Sequence, residues 1–262
     1  MTTVAITGAA GRMGQRLVAL AKQSGEFEVV GAIERPGHEA IARDAGEVAG
    51  VGKIGVAVSE ELAKTPQVLI DFTAPVSMRH WLKVCRDKNI AMVIGTTGLQ
   101  ASDQATIDQA AADIPVLQAP NMSLGVNLLF KVAAEVAKRL GDDYDIEIIE
   151  GHHRFKKDAP SGTAMGLADA ILNGTGKSRD ALVYDRHGDE VARKRGDIGM
   201  HALRIGDEVG RHTAYFAALG ERLELTHVAT NRDTFVHGAL RAAKWLAGRK
   251  PGRYSIADVL GL

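Results

Sequence analysis

Two histidines, three further cations and an aspartate crowd into one short run, Glu150-Gly-His-His-Arg-Phe-Lys-Lys-Asp-Ala-Pro-Ser-Gly-Thr-Ala164. The imidazoles of His152 and His153 can move protons near neutral pH. Lys156 can give a proton or hold a carboxylate. The run ends in small residues, with Ser161 placed as the N-cap of a helix expected over 164–172. The N–H groups of Gly162 and Thr163 then face the mouth of that helix, where unpaired donors and the helix dipole both favour an anion. Ile146-Glu-Ile-Ile149 alternates like a strand, so the chemistry-bearing run is a strand-to-helix loop. Such a loop is suited to take an acidic small molecule and protonate it. A solvated basic turn beside a capped helix accounts for the charges but not for the Asp158–Ala164 run.

A second constellation opens the chain. Val4–Thr7 reads as a buried strand, followed by Gly8, Ala9, Ala10, Gly11, Arg12, Met13 and Gly14. A helix over 15–24 comes next, with Gly25 past its end, then a strand over Phe27–Ile33, and Glu34 lies 20 residues after Gly14. This is the strand, glycine loop, helix, strand and acid order of a dinucleotide site. The spacing is Gly-x-x-Gly-x-x-Gly rather than Gly-x-Gly-x-x-Gly. Glu34 is placed to accept from the ribose hydroxyls of NADH, and Arg35 to pair with the 2′-phosphate of NADPH, so both cofactors are expected. Three later strand ends, at Phe72-Thr73, Gly95-Thr96-Thr97 and Ala119-Pro120-Asn121-Met122, are expected to meet the nicotinamide half, because ligands of such sheets collect beyond the carboxyl ends of the strands.

The elements that must position these groups change character midway. Up to residue 118, strands alternate with helices (strands 67–72, 90–94 and 115–118; helices 76–86 and 102–112), which predicts a Rossmann-like doubly wound parallel sheet. A short helix is expected over 39–45. A long helix spans 124–140, after a hinge at 121–123. Beyond it, residues 173–197 read as a long mobile loop. Strands at 198–205, 213–219 and 222–229 with tight turns predict antiparallel hairpins. A sheet with one open face invites pairing with another subunit, so an oligomer is expected. A helix over 233–246 is long and amphipathic enough to return and cover the first domain. The chain is thus divided into 1–122 plus 232–262, which binds the dinucleotide, and an α+β domain over 123–231 for substrate and oligomerisation.

Composition narrows the function. The 262 residues carry 32 basic and 32 acidic side chains, for zero formal net charge. No global field argues for nucleic acid or an anionic membrane, and a local basic cluster in a neutral protein points to a small acidic ligand. The single cysteine, Cys85, reads as a small core residue. No apolar run has the length of a membrane span and no signal peptide is visible, so the cytoplasm is the expected compartment. His201, His212 and His227 stand singly on strands without a short-spaced ligand pair, so no metal site is expected.

The Glu150–Ala164 run resembles the signature of the 4-hydroxy-tetrahydrodipicolinate (dihydrodipicolinate) reductase family, Glu-x-His-His-x-x-Lys-x-Asp-Ala-Pro-Ser-Gly-Thr-Ala, at every fixed position. The resemblance extends to the Gly8–Gly14 loop, Asp71-Phe72-Thr73, Gly95-Thr96-Thr97, Asn121 with Gly125-Val126-Asn127, and Arg232 with Thr234-Phe235. Ala10 and Pro120 fall at positions that vary, and Met122 is a departure bearing on cofactor contacts. The resemblance implies an oxidoreductase of lysine and diaminopimelate biosynthesis that moves hydride from NADH or NADPH to a cyclic dicarboxylate. His152 would be its acid/base and Lys156 its proton donor. His153, Ser161, Gly162 and Thr163 would bind substrate, Arg232 would join the cofactor contacts, and the assembly would be a homotetramer. Two rivals are a non-catalytic dinucleotide sensor, which has no need of the paired histidines and Lys156, and another two-domain Rossmann reductase of an amino-acid-like substrate, which gives no reason for the signature.

Overall fold

A computed structural model describes residues 1–262. The chain separates into two compact units, Met1–Leu124 with Asp233–Leu262, and Gly125–Arg232.

The first unit contains β1 (Thr2–Thr7), α1 (Arg12–Ser24), β2 (Phe27–Ile33), α2 (Ala45–Val48), β3 (Val58–Ser59), β4 (Val68–Asp71), α3 (Pro75–Lys88), β5 (Ala91–Ile94), α4 (Ala101–Ala111) and β6 (Pro115–Gln118). Its seven strands form one parallel sheet, in the order β12-β6-β5-β4-β1-β2-β3, where β12 is Gly252–Tyr254 from the chain's end. The doubly wound expectation follows from alternation within single strands. Val4, Ile6, Val68, Ile70 and Val93 face a core with α1, α7 (Asp233–Leu246) and α8 (Ile256–Leu260). Ala5, Leu69, Met92 and Ile94 face a second core with α3 and α4. A strand buried on both faces reads as a continuous apolar run, which is why β1, β4 and β5 are apolar throughout. The returning helix α7 packs as expected, through Val236, Ala239, Leu240 and Ala243, and Arg16 holds its first residue, Asp233, through a two-pronged ion pair at 2.6 and 2.9 Å. Cys85 is buried, and burial pushes its thiol up, away from reactivity.

The helix expected over 39–45 is absent. Instead Asp44 caps the single turn α2, accepting from Gly46, Glu47, Ile54 and Gly55 N–H. An acid that satisfies four backbone donors competes successfully with helix continuation.

The second unit holds α5 (Leu124–Leu140), which begins at the unit boundary, then β7 (Asp145–His152), α6 (Gly162–Thr175), β8 (Leu182–Val183), β9 (Ile198–Arg204), β10 (Gly210–Ala218) and β11 (Glu221–Ala229). The sheet order is β11-β10-β7-β9-β8. Only β10 and β11 form the expected hairpin. The pairing expected between β9 and β10 is overturned, because β7 lies between them, parallel to β9 and antiparallel to β10. The connection over 205–209 crosses the end of β7, with Ile205 N–H donating to His152 O and Arg154 N–H to Gly206 O. Two strand spacings are about 10 Å, within reach of five residues. The 173–197 stretch is also more structured than a mobile loop. α6 runs on to Thr175, β8 joins the sheet edge, and Arg186 and Arg193 are ion-paired to Glu147 on β7. α5 and α6 cover one sheet face, burying Ile146, Ile148, Met200 and Phe216. No helix is long and apolar enough to cross a membrane.

Candidate active site

In the first unit the glycine loop joins β1 to α1. Gly8 takes a positive φ of 63° and its carbonyl accepts from Gly11 N–H at 2.9 Å. A Cβ at Gly14 would lie 2.1 Å from that carbonyl oxygen, so only glycine lets the first turn of α1 sit against the loop. Arg12 and Met13 begin α1 with no acidic residue in its first turn, which leaves a helix start fit for a pyrophosphate. Glu34 stands at the end of β2 and is bound into the loop, accepting from Ala10 N–H at 3.2 Å and Arg35 N–H at 3.0 Å. Arg35 is exposed, whereas Ala9 packs in the core.

Two of the other three strand ends, those of β4 and β5, are organised together with β1 by Asp71, a residue to which the sequence alone assigns no role. Asp71 is fully buried. It accepts from Thr7 Oγ1 at 2.6 Å, from Thr73 Oγ1 at 2.7 Å and from Thr96 Oγ1. Thr96 Oγ1 in turn accepts from Thr73 N–H at 2.9 Å. One carboxylate thereby ties the ends of β1, β4 and β5. The Phe72 ring lies over Gly95, where a Cβ would come within 2.3 Å. Thr96, Thr97 and Pro120 line a cleft of about 330 Å3 together with Gln118. Ala119 and Met122 are buried in the core, so their side chains pack inward, while Asn121 is half-buried. A larger groove, about 710 Å3, lies between α1 and α7 around Leu20, Phe27 and Trp245 and holds none of the candidate residues.

In the second unit β7 carries the proton-handling end of the signature further than the loop reading allowed, since the strand continues to His152. Glu150 and His152, two apart on a strand, share a face, and His152 Nδ1 is 2.6 Å from Glu150 Oε2. Glu150 is fully buried. Arg204 grips it from β9 with Nη1 to Oε2 at 3.0 Å and Nη2 to Oε1 at 2.9 Å, and Ser161 N–H donates to Oε1 at 3.0 Å. Burial alone would raise the Glu150 carboxyl, but donors from Arg204, His152 and Ser161 carry it below the usual range, so it is ionised. Lys156 Nζ lies 2.9 Å from Asp158 Oδ1, and that ammonium holds the Asp158 carboxyl low.

Ser161 caps α6 as expected, its hydroxyl accepting from Ala164 N–H at 3.1 Å. Gly162 and Thr163 form the first turn of α6. His153 is half-buried, with Nδ1 lacking a protein partner. His212, read in the sequence as an incidental strand histidine, is buried at the site. Its Nε2 is 3.2 Å from Ser161 Oγ and its ring meets that of His152 edge-on at 5.2 Å. Burial, with the His152 charge nearby, pushes His212 down to about 4, so it is neutral at working pH. Strand register explains why this cluster escaped sequence reading. His212 stands opposite Glu150 and Arg204 opposite His152, although 62 and 52 positions separate them along the chain. Only the two-residue spacing of Glu150 and His152 was a readable signal. His201 pairs with Glu147 at 2.6 Å on the other face of β7. Arg232, exposed, is the last residue of the second unit.

A doubly wound sheet with a glycine-turned helix start, followed by an α+β unit bearing cations and proton-handling groups at a second helix start, defines a two-unit Rossmann-type oxidoreductase. Solved structures show the same architecture. A dipicolinate-bound dihydrodipicolinate reductase from Paenisporosarcina sp. TG-14 superposes with a TM-score of 0.76 at 24% identity, covering 97% of each chain. An amine dehydrogenase from Mycobacterium smegmatis gives 0.60 at 12% identity over 97% of this chain and 95% of that one. Residues 2–122 match the family model "Dihydrodipicolinate reductase, N-terminus" and residues 125–260 match "Dihydrodipicolinate reductase, C-terminus". The 4-hydroxy-tetrahydrodipicolinate reductase of Citrifermentans bemidjiense is 49% identical over all of both chains, and that of Alkalilimnicola ehrlichii is 49% identical over all of this chain and 99% of its own. The chain belongs to the dihydrodipicolinate reductase family.

Proposed function

We propose that this chain reduces 4-hydroxy-tetrahydrodipicolinate to tetrahydrodipicolinate in the pathway to diaminopimelate and lysine. NADH or NADPH supplies the hydride when bound. The likeness over the whole length to reductases of that name supports the reading, and the observation that carries it onto these residues is the Glu150 carboxylate, which binds both His152 Nδ1 and Ser161 N–H and so ties the imidazole to the α6 helix start. A substrate with two carboxylates needs cationic donors and an anion site, and adding a hydride to an unsaturated ring requires a proton delivered nearby. Lys156 and His152 are the groups able to deliver it. His153, Ser161, Gly162 and Thr163 would hold carboxylate oxygens through ring N–H, hydroxyl and main-chain donors.

The residues of the first unit fit a dinucleotide. Gly8 and Gly11 keep the loop backbone bare for a pyrophosphate, and Arg12 and Met13 would offer main-chain N–H groups at the helix start, while Ala9 and Ala10, whose N–H groups donate to Ile33 O and Glu34, would border the dinucleotide. Glu34 would accept from ribose hydroxyls and the exposed Arg35 would take a 2′-phosphate. Phe72, Gly95, Thr96, Thr97 and the segment Ala119, Pro120, Asn121, Met122 would border the nicotinamide, with Arg232 as a further contact. Residues 1–122 with 232–262 would thus serve the cofactor, and 123–231 the substrate and assembly. A homotetramer built through the open sheet face, working in the cytoplasm, completes the reading.

The deciding experiment follows NADH and, separately, NADPH absorbance while the preceding synthase generates substrate from pyruvate and aspartate semialdehyde. Oxidation that requires both the synthase and this protein establishes the reductase and ranks the cofactors. Tight NADH binding with no turnover on either cofactor would instead identify a sensor.

A further inference from the structure

We propose that Glu150 is the positioning residue of this site, its buried carboxylate holding His152 as the Nδ1–H tautomer and fixing the Ser161 cap, so that the exchanging proton sits on Nε2. The catalytic consequence rests on the reductase reading; the tautomer does not.

The argument is one of hydrogen-bond capacity. A carboxylate only accepts, with about four lone-pair sites over two oxygens. On Glu150, Oε1 takes Arg204 Nη2 and Ser161 N–H, and Oε2 takes Arg204 Nη1 and His152 Nδ1. Every site is filled. Arg204 cannot lose its protons and a backbone N–H cannot turn round, so three of the four donors are fixed and the carboxylate stays ionised. The fourth contact, at 2.6 Å, is a charge-assisted bond only if His152 Nδ1 carries hydrogen. A neutral imidazole has one hydrogen, which leaves the Nε2 lone pair open. When Nε2 gains a proton the imidazolium faces an ionised carboxylate. When Nε2 releases that proton to substrate, the Nδ1–H···Glu150 bond persists and the ring is not required to turn.

The surroundings keep Nε2 available. A Cβ at Gly210 would lie 3.3 Å from it, so glycine at the start of β10 leaves the nitrogen uncrowded. The groups beside His152 are Glu150 on its own strand, Arg204 at the paired position of β9 and His212 from β10, while Lys156, paired with Asp158 in the following loop, adds a positive charge that acts on His212. His212 packs edge-on and neutral, adding no opposing charge. An ordinary buried ion pair would need Arg204 and Glu150 alone. Here the same carboxylate also holds Ser161, the residue that opens the anion-binding helix. One side chain therefore sets the proton-handling ring and the substrate's carboxylate site in a common frame.

The test is 15N NMR of the intact protein labelled at histidine, with His152 assigned through His152→Gln, alongside steady-state kinetics of Glu150→Gln and Glu150→Asp. The expected neutral form shows a pyrrole-type Nδ1 and a pyridine-type Nε2. Glu150→Gln is expected to lower kcat about a hundredfold, the scale of losing one oriented acid/base group, with the KM for NADH changed less than twofold. Glu150→Asp, which keeps the charge but shortens the reach, is expected to retain more turnover than the amide. A pyridine-type Nδ1 in the unaltered protein overturns the proposal, as does unchanged kcat in folded Glu150→Gln. Should that variant fail to fold, the tautomer of the unaltered protein decides. A pyrrole-type Nδ1 in a protein with no reductase turnover would remove the proposed function and leave the tautomer assignment standing.

Discussion

Lys156 is only 21% exposed and keeps a counter-ion in Asp158, 2.9 Å away. If it gives the proton, Lys156→Ala should lower kcat by about a hundredfold or more, while NADH affinity, read by fluorescence titration, stays unchanged; near-normal turnover would remove Lys156 from the mechanism. His212 supplies a different test, on stability. Its folded value of about 4 lies below the ordinary 6.5. Between those values the unfolded chain binds the extra proton, so the folded protein is at full advantage above pH 6.5 and loses it as pH falls towards 4. The loss is at most about 3 kcal/mol. Urea unfolding at pH 7.5 and pH 5.0 should show most of it, and His212→Gln should flatten the difference. An equal drop in the variant would assign the effect to other groups, such as His227, which burial also pushes down. Glu150 titrates in a more acidic window, its stabilisation being lost as pH falls through its lowered value.

At the level of elements, the helices were readable wherever an apolar period met a stop signal. α5 and α7 have the expected ends, and Gly25 closes α1 in the left-handed conformation at φ 66°. β3 and β8, two residues each, were not, because no period can be read in so short a run. The β9–β10 order was misread because turn length specifies a hairpin only when nothing else claims the strand edges; here β7 claims both. The glycine loop gives the sharpest prediction at this scale. Gly14→Ala puts a methyl 2.1 Å from the Gly8 carbonyl oxygen, a fixed backbone atom. The start of α1 must move, with an expected stability loss of about 1–3 kcal/mol and much weaker NADH binding. Calorimetric titration checks both the affinity and the count of competent sites, and wild-type affinity in the variant would contradict a phosphate site at this turn.

At the scale of the whole molecule, the five-stranded sheet leaves one face without a helix. Leu203 and Val228 lie in one row of that face, 52% and 50% exposed, with Ile205 beyond them at 60%. Apolar area on an open sheet is a place for subunits to pair. Light scattering should give a mass near four times 27.9 kDa, and Leu203→Glu should shift it towards smaller species with the fold intact by circular dichroism; a monomer in the unaltered protein at micromolar concentration would refute the tetramer. The amino-acid sequence alone determined the fold class, the glycine loop, the Ser161 cap and the place of His152 and Lys156 between a strand and a capped helix, because each is written in neighbouring residues whose spacing matches a local geometry. Tertiary structure alone decided that Arg204 and His212 meet Glu150 and that Asp71 ties three strand ends. Those contacts depend on strand register and on the order of strands in each sheet, set by burial over the whole unit, and no local pattern in the chain records them.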